Sequence, residues 1–332
     1  KLIASEKGSV TVTKKVFEYN LDEPFELFML IKGADVRKAK NNKPFIAFTF
    51  QDKSGQIDGK FWDAKEEEIN RFQAGVVVHI TGKREMYQNN PQLRINKMRL
   101  AQAGEPSSPE LYMERAPIRT EDMVEEINQT LFEITSAPIN RVVRFLIKKF
   151  QKEFFEYPAA KRHHHAFPGG LGFHTISILR MAKTVAKLYP SVNPSLLYGG
   201  VILHDIGKTI ELTGSLSTEY TLKGNLIGHI VLIDEEITKA CEALKISDDN
   251  EDIILLKHLV LAHHGKMEFG SPVKPHLLEA EIIHHLDNLD ASINMIDTAL
   301  QRTAEGSFSE RIFGLDNRMF YKPNPSHPTS AE

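Results

Sequence analysis

The 332 residues are 41% hydrophobic and 26% charged, a balance that excludes a largely disordered chain and leaves room for one to three domains. No apolar run approaches the roughly 20 residues needed to cross a bilayer, so no membrane-spanning helix and no membrane partner are expected. The net charge of -3 is unevenly spread: residues 1–105 carry 18 Lys and Arg against 14 Asp and Glu, and the remainder 23 against 30. A basic front suits a polyanion and an acidic back suits cations, although ordinary surface variation produces similar splits.

Residues 25–100 read as short strands between turns. Phe25–Lys32, Phe45–Gln51, Gln56–Trp62, Val76–Gly82 and Gln92–Leu100 are apolar or alternating. Turn-forming residues separate them at 40–44, 52–55 and 87–91, and a charged, helix-like Asp63–Arg71 lies between the third and fourth strands. Five strands with that inserted helix are the layout of an OB-fold barrel. Residues 1–104 are therefore assigned to an OB-fold nucleic-acid-binding domain, with no role given to the first 20 or so. Alternation turns Ile57 and Phe61 inward and Lys60 and Trp62 outward, with Arg94 also outward between Leu93 and Ile95. Lys60, Trp62, Tyr87 and Arg94 could then stack on unpaired bases and contact phosphates; equally, Trp62 and Tyr87 could simply pack against neighbouring structure.

Residues 105–120, within a polar stretch containing three prolines, read as a linker. The apolar period then becomes helical over Glu121–Glu133, Ile139–Glu153, Leu171–Leu188, Pro194–Lys208, Asn225–Leu244, Asp249–Ala262 and Leu277–Thr303. An all-α domain is expected over 121–323, followed by a flexible tail at 324–332.

Of 14 histidines, 12 fall between His163 and His285. VILHDIGK places His204 beside Asp205 on what reads as a helix, with Lys208 one turn on. His174, His229, His263, His264 and Asp287 lie in other apolar helical segments. One histidine on an apolar face is more often a satisfied core residue than a ligand, but five such positions beside the HD pair would leave many buried polar atoms to satisfy without a cation. Neutral imidazole with carboxylate suits Mn, Fe, Co or Zn, and a chain whose only thiol is Cys241 holds no thiolate cluster. That lone cysteine, with an opening KLIASEKGSV that lacks the apolar core of a secretion signal, gives a cytoplasmic protein as the expectation.

The order His, His-Asp, His, His-His, Asp resembles the two-metal members of the HD phosphohydrolase superfamily. The resemblance implies one metal on His174, His204, Asp205 and Asp287 and a second on His229, His263 and His264, with Asp205 bridging. The OB-like domain followed by PAA, HHAF, GGLGFH, LLYGGVILHDIGK, GNLIGH, LAHHG, GSPVKP and HHLDNLDA looks like the YhaM family of bacterial 3′-to-5′ exoribonucleases, over nearly the whole chain. It departs where Gly-Phe-His stands for the family's Ala-Tyr-His, with the ligand position kept, and its first twenty or so residues match poorly.

That resemblance implies a metal-dependent exonuclease acting on single-stranded RNA, with single-stranded DNA as a further substrate and homo-oligomerisation left open. Mn2+ is the expected cofactor, with Mg2+, Co2+ or Fe as alternatives. Asp205 and Lys208 are the candidate catalytic groups, Lys208 meeting the phosphate as charge develops. At least one of His164 and His165 is expected at the phosphate or leaving group, a plain loop role being the other reading. Two further functions compete: a nucleotide or cyclic-dinucleotide phosphohydrolase, and a nucleic-acid-binding protein with an inactive HD site. A strand-binding domain disfavours the first, as does the absence of Gly-Tyr-Pro after the HD motif, and the complete ligand set disfavours the second.

Overall fold

A computed structural model describes residues 14–39, 41–87, 90–161, 165–247 and 249–324, which form two compact units divided between Tyr112 and Met113. Among these residues no helix is long and apolar enough to cross a membrane. His164, the opening residues 1–13 and the tail beyond residue 324 lie outside the described residues.

The first unit is a closed barrel of β1 (Pro24–Lys38), β2 (Pro44–Asp52), β3 (Gly55–Trp62), β4 (Val77–Tyr87) and β5 (Asn90–Leu100), with α1 (Glu66–Arg71) between β3 and β4. Strand order is β1-β2-β3-β5-β4, with β3 and β5 parallel and the other pairs antiparallel. This is the OB-fold expected. Alternate residues of β2 fill its core, Ile46, Phe48 and Phe50, together with Met29, Ile31, Ile57, Val78, Ile80 and Leu93. Each such side chain contributes about 1.5–3 kcal/mol on burial.

Two strands run further than the sequence indicates. β1 continues past Lys32 because it serves both neighbours: Pro24–Leu30 pairs with β4 and Leu30–Lys38 with β2, across a bulge between Ile31 and Gly33. β4 continues past Gly82 to Tyr87, whose polar residues look like a turn but pair with β5 as far as Asn90.

The second unit is helical: α2 (Thr120–Glu133), α3 (Ala137–Lys149), α4 (Gln151–Glu156), α5 (Gly170–Leu188), α6 (Pro194–Leu203), α7 (Lys208–Glu211), α8 (Leu222–Leu226), α9 (His229–Leu244), α10 (Glu251–Ala262) and α11 (Leu278–Gln301). A two-stranded ribbon, β6 (Ser307–Phe308) with β7 (Tyr321–Lys322), follows. Helix α6 is apolar on all sides and every residue from Ser195 to Leu203 is buried, so it is the central rod. Its start is fixed by Pro194 and by the Asn193 side chain, which accepts from the Leu196 N–H.

Two helices read as continuous are in fact broken, and both breaks lie at proposed ligands. Helix α6 stops at Leu203; His204–Gly207 form a turn in which Lys208 N–H donates to the Asp205 carbonyl at 2.9 Å. Gly207 is required there, since a Cβ would lie 2.1 Å from the His229 carbonyl oxygen. The segment read as Asn225–Leu244 divides at Gly228, whose φ of 80° is open to glycine, so His229 opens α9. A third segment, Ile139–Glu153, divides at Phe150 into α3 and α4.

Candidate metal centre and nucleic-acid surface

Five histidines and two aspartates meet at one buried point, with His204, Asp205 and His229 at the two helix breaks and His174, His263, His264 and Asp287 brought in by α5, α10 and α11. Asp205 is 1% exposed and stands at its middle. Its Oδ2 lies 3.5 Å from both His174 Nε2 and His204 Nε2, and its Oδ1 lies 3.4 Å from His229 Nε2 and 3.7 Å from His263 Nε2. Asp287 Oδ1 is 3.1 Å from His174 Nε2. Ligand atoms of His174, His204 and Asp205 fall within 4.8 Å of one another, and so do those of Asp205, His229, His263 and His264. Asp205 belongs to both groups. His264 is the least buried histidine of these groups, so solvent reaches the second group past its ring.

The far side of each ring explains which nitrogen faces inward. His204 Nδ1 is 2.7 Å from the Val201 carbonyl, His263 Nδ1 2.7 Å from Val260 and His264 Nδ1 2.6 Å from Phe269. A carbonyl only accepts, so each Nδ1 carries the proton and each Nε2 presents a lone pair. His204 Nε2, His229 Nε2, His263 Nε2 and Asp205 Oδ1 are buried and have no hydrogen-bond partner among the described residues. Four orphaned acceptors aimed at one space are costly without a cation, and imidazole nitrogen with carboxylate oxygen is a donor set for divalent ions. The residues therefore fit a metal.

Electrostatics keep the ligands in binding form. Burial lowers His204, and burial with neighbouring His264 pushes His263 well below the usual imidazole value, so both stay neutral. Burial alone would raise Asp205, but Lys208 and the surrounding imidazoles outweigh it and hold the carboxyl well below the usual range. Lys208 is 9% exposed, and its Nζ donates to Asp205 Oδ2 at 2.7 Å. His174 is the exception. Burial opposes its charge, yet hydrogen bonds to Asp287 and Asp290 win and raise it to about 9.

On the barrel, β3, β4 and β5 present the four residues expected to contact a strand. Lys60 pairs across the sheet with Ala47 and Arg94, and Lys83 lies on the other side of Arg94. The Lys60 ammonium is 5.7 Å from the Trp62 ring centroid and 5.1 Å from that of Tyr87, so the three form one patch. Trp62 is 56% and Tyr87 51% exposed, and Arg94 is exposed beside them. Trp62 is backed by Phe45 at 4.7 Å, while Phe61 turns inward toward Phe72. A cation between two exposed rings matches both flat bases and phosphates.

Two family models match the chain: HD domain over residues 171–292 and OB-fold nucleic acid binding domain over 31–101. A relative from Listeria monocytogenes serotype 4b, a 3′-5′ exoribonuclease YhaM, is 50% identical over 310 residues, covering 93% of this chain and 98% of its own. The chain belongs to the YhaM family. Its Listeria welshimeri member, again a 3′-5′ exoribonuclease YhaM, is 49% identical over the same shares. The solved second OB-fold domain of replication protein A from Methanococcus maripaludis aligns with 27% of this chain and 96% of its own, at 12% identity and a TM-score of 0.22.

Within this family member, three residues have positions that sequence reasoning did not assign. His165, expected near a phosphate, is 2% exposed, and its Nε2 lies 2.7 Å from Asp290 Oδ2. Asp290 Oδ2 also lies 2.7 Å from His174 Nδ1, and Glu211 Oε1 lies 3.1 Å from His229 Nδ1. The one available signal for Asp290 was its spacing three residues after Asp287, which puts both on one face of α11. Glu211 carried none, since a single glutamate after a lysine reads as a solvated charge.

Proposed function

We propose that this protein is a divalent-cation-dependent exonuclease that shortens single-stranded RNA from its 3′ end, as its family relatives' name implies. The histidine–aspartate centre is the active site, and Lys60, Trp62, Tyr87 and Arg94 hold the strand. The observation that carries this reading is the placement of Asp205, one oxygen toward each ligand group.

One cation would be held by His174, His204, Asp205 and Asp287, the other by Asp205, His229, His263 and His264. Two cations so placed would acidify a water between them, orient it, and neutralise charge on the phosphate. Asp205, kept ionised by Lys208, is the shared base of the site and accepts the hydrogen bond of the attacking water. Lys208 adds a positive charge beside the phosphate as negative charge develops there. At least one of His164 and His165 is the proposed contact to the phosphate or leaving group, with His165 Nε2 engaged by Asp290. The histidine and carboxylate donors suit Mn2+ first, with Mg2+, Co2+ and Fe as alternatives, and a cytoplasmic setting agrees with that choice. Ring stacking ignores the 2′-hydroxyl, so single-stranded DNA also binds the barrel surface.

The test is incubation with Mn2+ and 5′-labelled single-stranded RNA, beside a matched DNA and the Asp205→Ala variant. A ladder receding from the 3′ end, absent with the variant, is expected. Intact RNA in the presence of bound metal would sink the reading and turn attention to nucleotide substrates.

A further inference from the structure

We propose that Glu211 and Asp290 are positioning residues, each fixing one histidine of a different cation group. The inference rests on the two-cation reading of the centre. Three of the five histidines are oriented by the main chain, through the carbonyls of Val201, Val260 and Phe269. The other two are oriented by carboxylates, one per group: His229 by Glu211 and His174 by Asp290.

The fold explains why these two need a side chain. His229 opens α9 after Gly228, which has no side chain to cap the helix. Glu211 Oε1 accepts from both the His229 backbone N–H and its ring, each at 3.1 Å, and so fixes the residue at two points. His174 lies in the second turn of α5, whose preceding loop carries His165. Asp290 Oδ2 ties both imidazoles to α11, each at 2.7 Å, and Asn294, one turn further on, accepts from the His165 N–H at 3.0 Å. His165 holds a left-handed backbone with φ of 48°, which these bonds maintain.

Neither carboxylate needs to touch a cation to act. Each binds the Nδ1 side of its imidazole, leaving Nε2 to face Asp205. A carboxylate partner pins ring and tautomer and makes Nε2 a stronger donor than a carbonyl partner does. His165, His174 and Asp290 also have ligand atoms within 4.8 Å of one another. However, two imidazoles at 2.7 Å from a single oxygen describe shared protons rather than a third ion.

The experiment is a Mn2+ titration of the full chain, reading free Mn2+ by electron paramagnetic resonance, for wild type, Glu211→Gln and Asp290→Asn. Wild type is expected to bind two ions. Each variant is expected to weaken a different one by roughly 10- to 100-fold and leave the other unchanged, while melting as wild type does in EDTA. In the RNA assay the loss should appear in kcat rather than KM. Both affinities falling together, neither falling, or both variants weakening the same ion overturns the proposal. So does a third ion lost in Asp290→Asn, or a large drop in melting temperature in EDTA without selective metal loss. If Asp290→Asn does not fold, Glu211→Gln decides alone, because it must still spare one ion. Fewer than two ions on the wild type would fail the two-cation reading itself, before any variant is compared.

Discussion

Replacing Trp62 by alanine separates strand binding from fold stability. The ring is 56% exposed, and its buried side rests on Phe45 at 4.7 Å. Losing that aromatic pair costs the barrel about 0.5–1.5 kcal/mol, a small part of a domain's stability. Losing a stacked base costs binding about 1–3 kcal/mol, so Kd should rise roughly 5- to 150-fold. The assay is fluorescence anisotropy with a labelled single-stranded RNA, in EDTA to prevent cleavage and at one fixed salt concentration, because phosphate contacts make affinity salt-dependent. Trp62→Phe should fall between the two, since a smaller ring still stacks. Lys60→Ala should weaken binding and also flatten the salt dependence, as expected when one phosphate contact is lost. Unchanged RNA affinity in a folded Trp62→Ala protein would refute the stacking argument and leave the ring as a cover for Phe45.

Four further outcomes follow from the same geometry. His174, raised to about 9, is charged at neutral pH and must lose its proton to become a ligand, whereas His204 and His263 are already neutral. Calorimetry at pH 7.5 in buffers of different ionisation enthalpy should show about one proton released at that cation, with affinity rising with pH until about 9 and then levelling. Gly207→Ala sets a Cβ 2.1 Å from the His229 carbonyl oxygen, so it should destabilise the protein by about 1–3 kcal/mol in thermal melts and lower metal content with it. Phe48→Ala should cost the barrel about 3–5 kcal/mol, while metal content by mass spectrometry stays at the wild-type level if the helical unit folds by itself. His263→Ala removes a fully buried proposed ligand and should abolish RNA cleavage while anisotropy still reports strand binding.

Both domains were legible because each presents one strong period, alternation in Ile46, Phe48 and Phe50, and helical spacing after residue 120. The ends of β1 and β4 were not. Asp35–Lys38 and Lys83–Tyr87 are polar, and their strand state comes from main-chain pairing with β2 and β5, which has no apolar signature. The helix breaks at Gly207 and Gly228 were hidden for the opposite reason. The apolar period runs straight through them, and the close approach of Gly207 to His229 is a tertiary contact that no period reports. The histidine pattern pointed to the residues that the fold gathers into the two proposed cation groups, because buried imidazoles on separate helices are hard to explain otherwise. Asp290 showed only its spacing from Asp287 and Glu211 nothing, since an acidic residue on a helix is ordinarily solvated.

Within the centre, side chains of the protein itself counter the buried negative charge. Asp205, Asp287, Asp290 and Glu211 put four carboxylates into one low-dielectric region, and buried negative charge demands a counter-charge. Lys208 at Asp205 Oδ2 supplies one, and His174, charged between Asp287 and Asp290, supplies another. Asp205 Oδ2 is the oxygen that also faces His174 and His204, so the Lys208 ammonium stands beside the space a first cation would fill. A cation held at Oδ2 would compete for that oxygen with the charge on His174 and with the Lys208 ammonium, so it would replace positive charge already present rather than add to it. Lys208, less tightly held by Asp205, would then have an ammonium to offer an incoming phosphate.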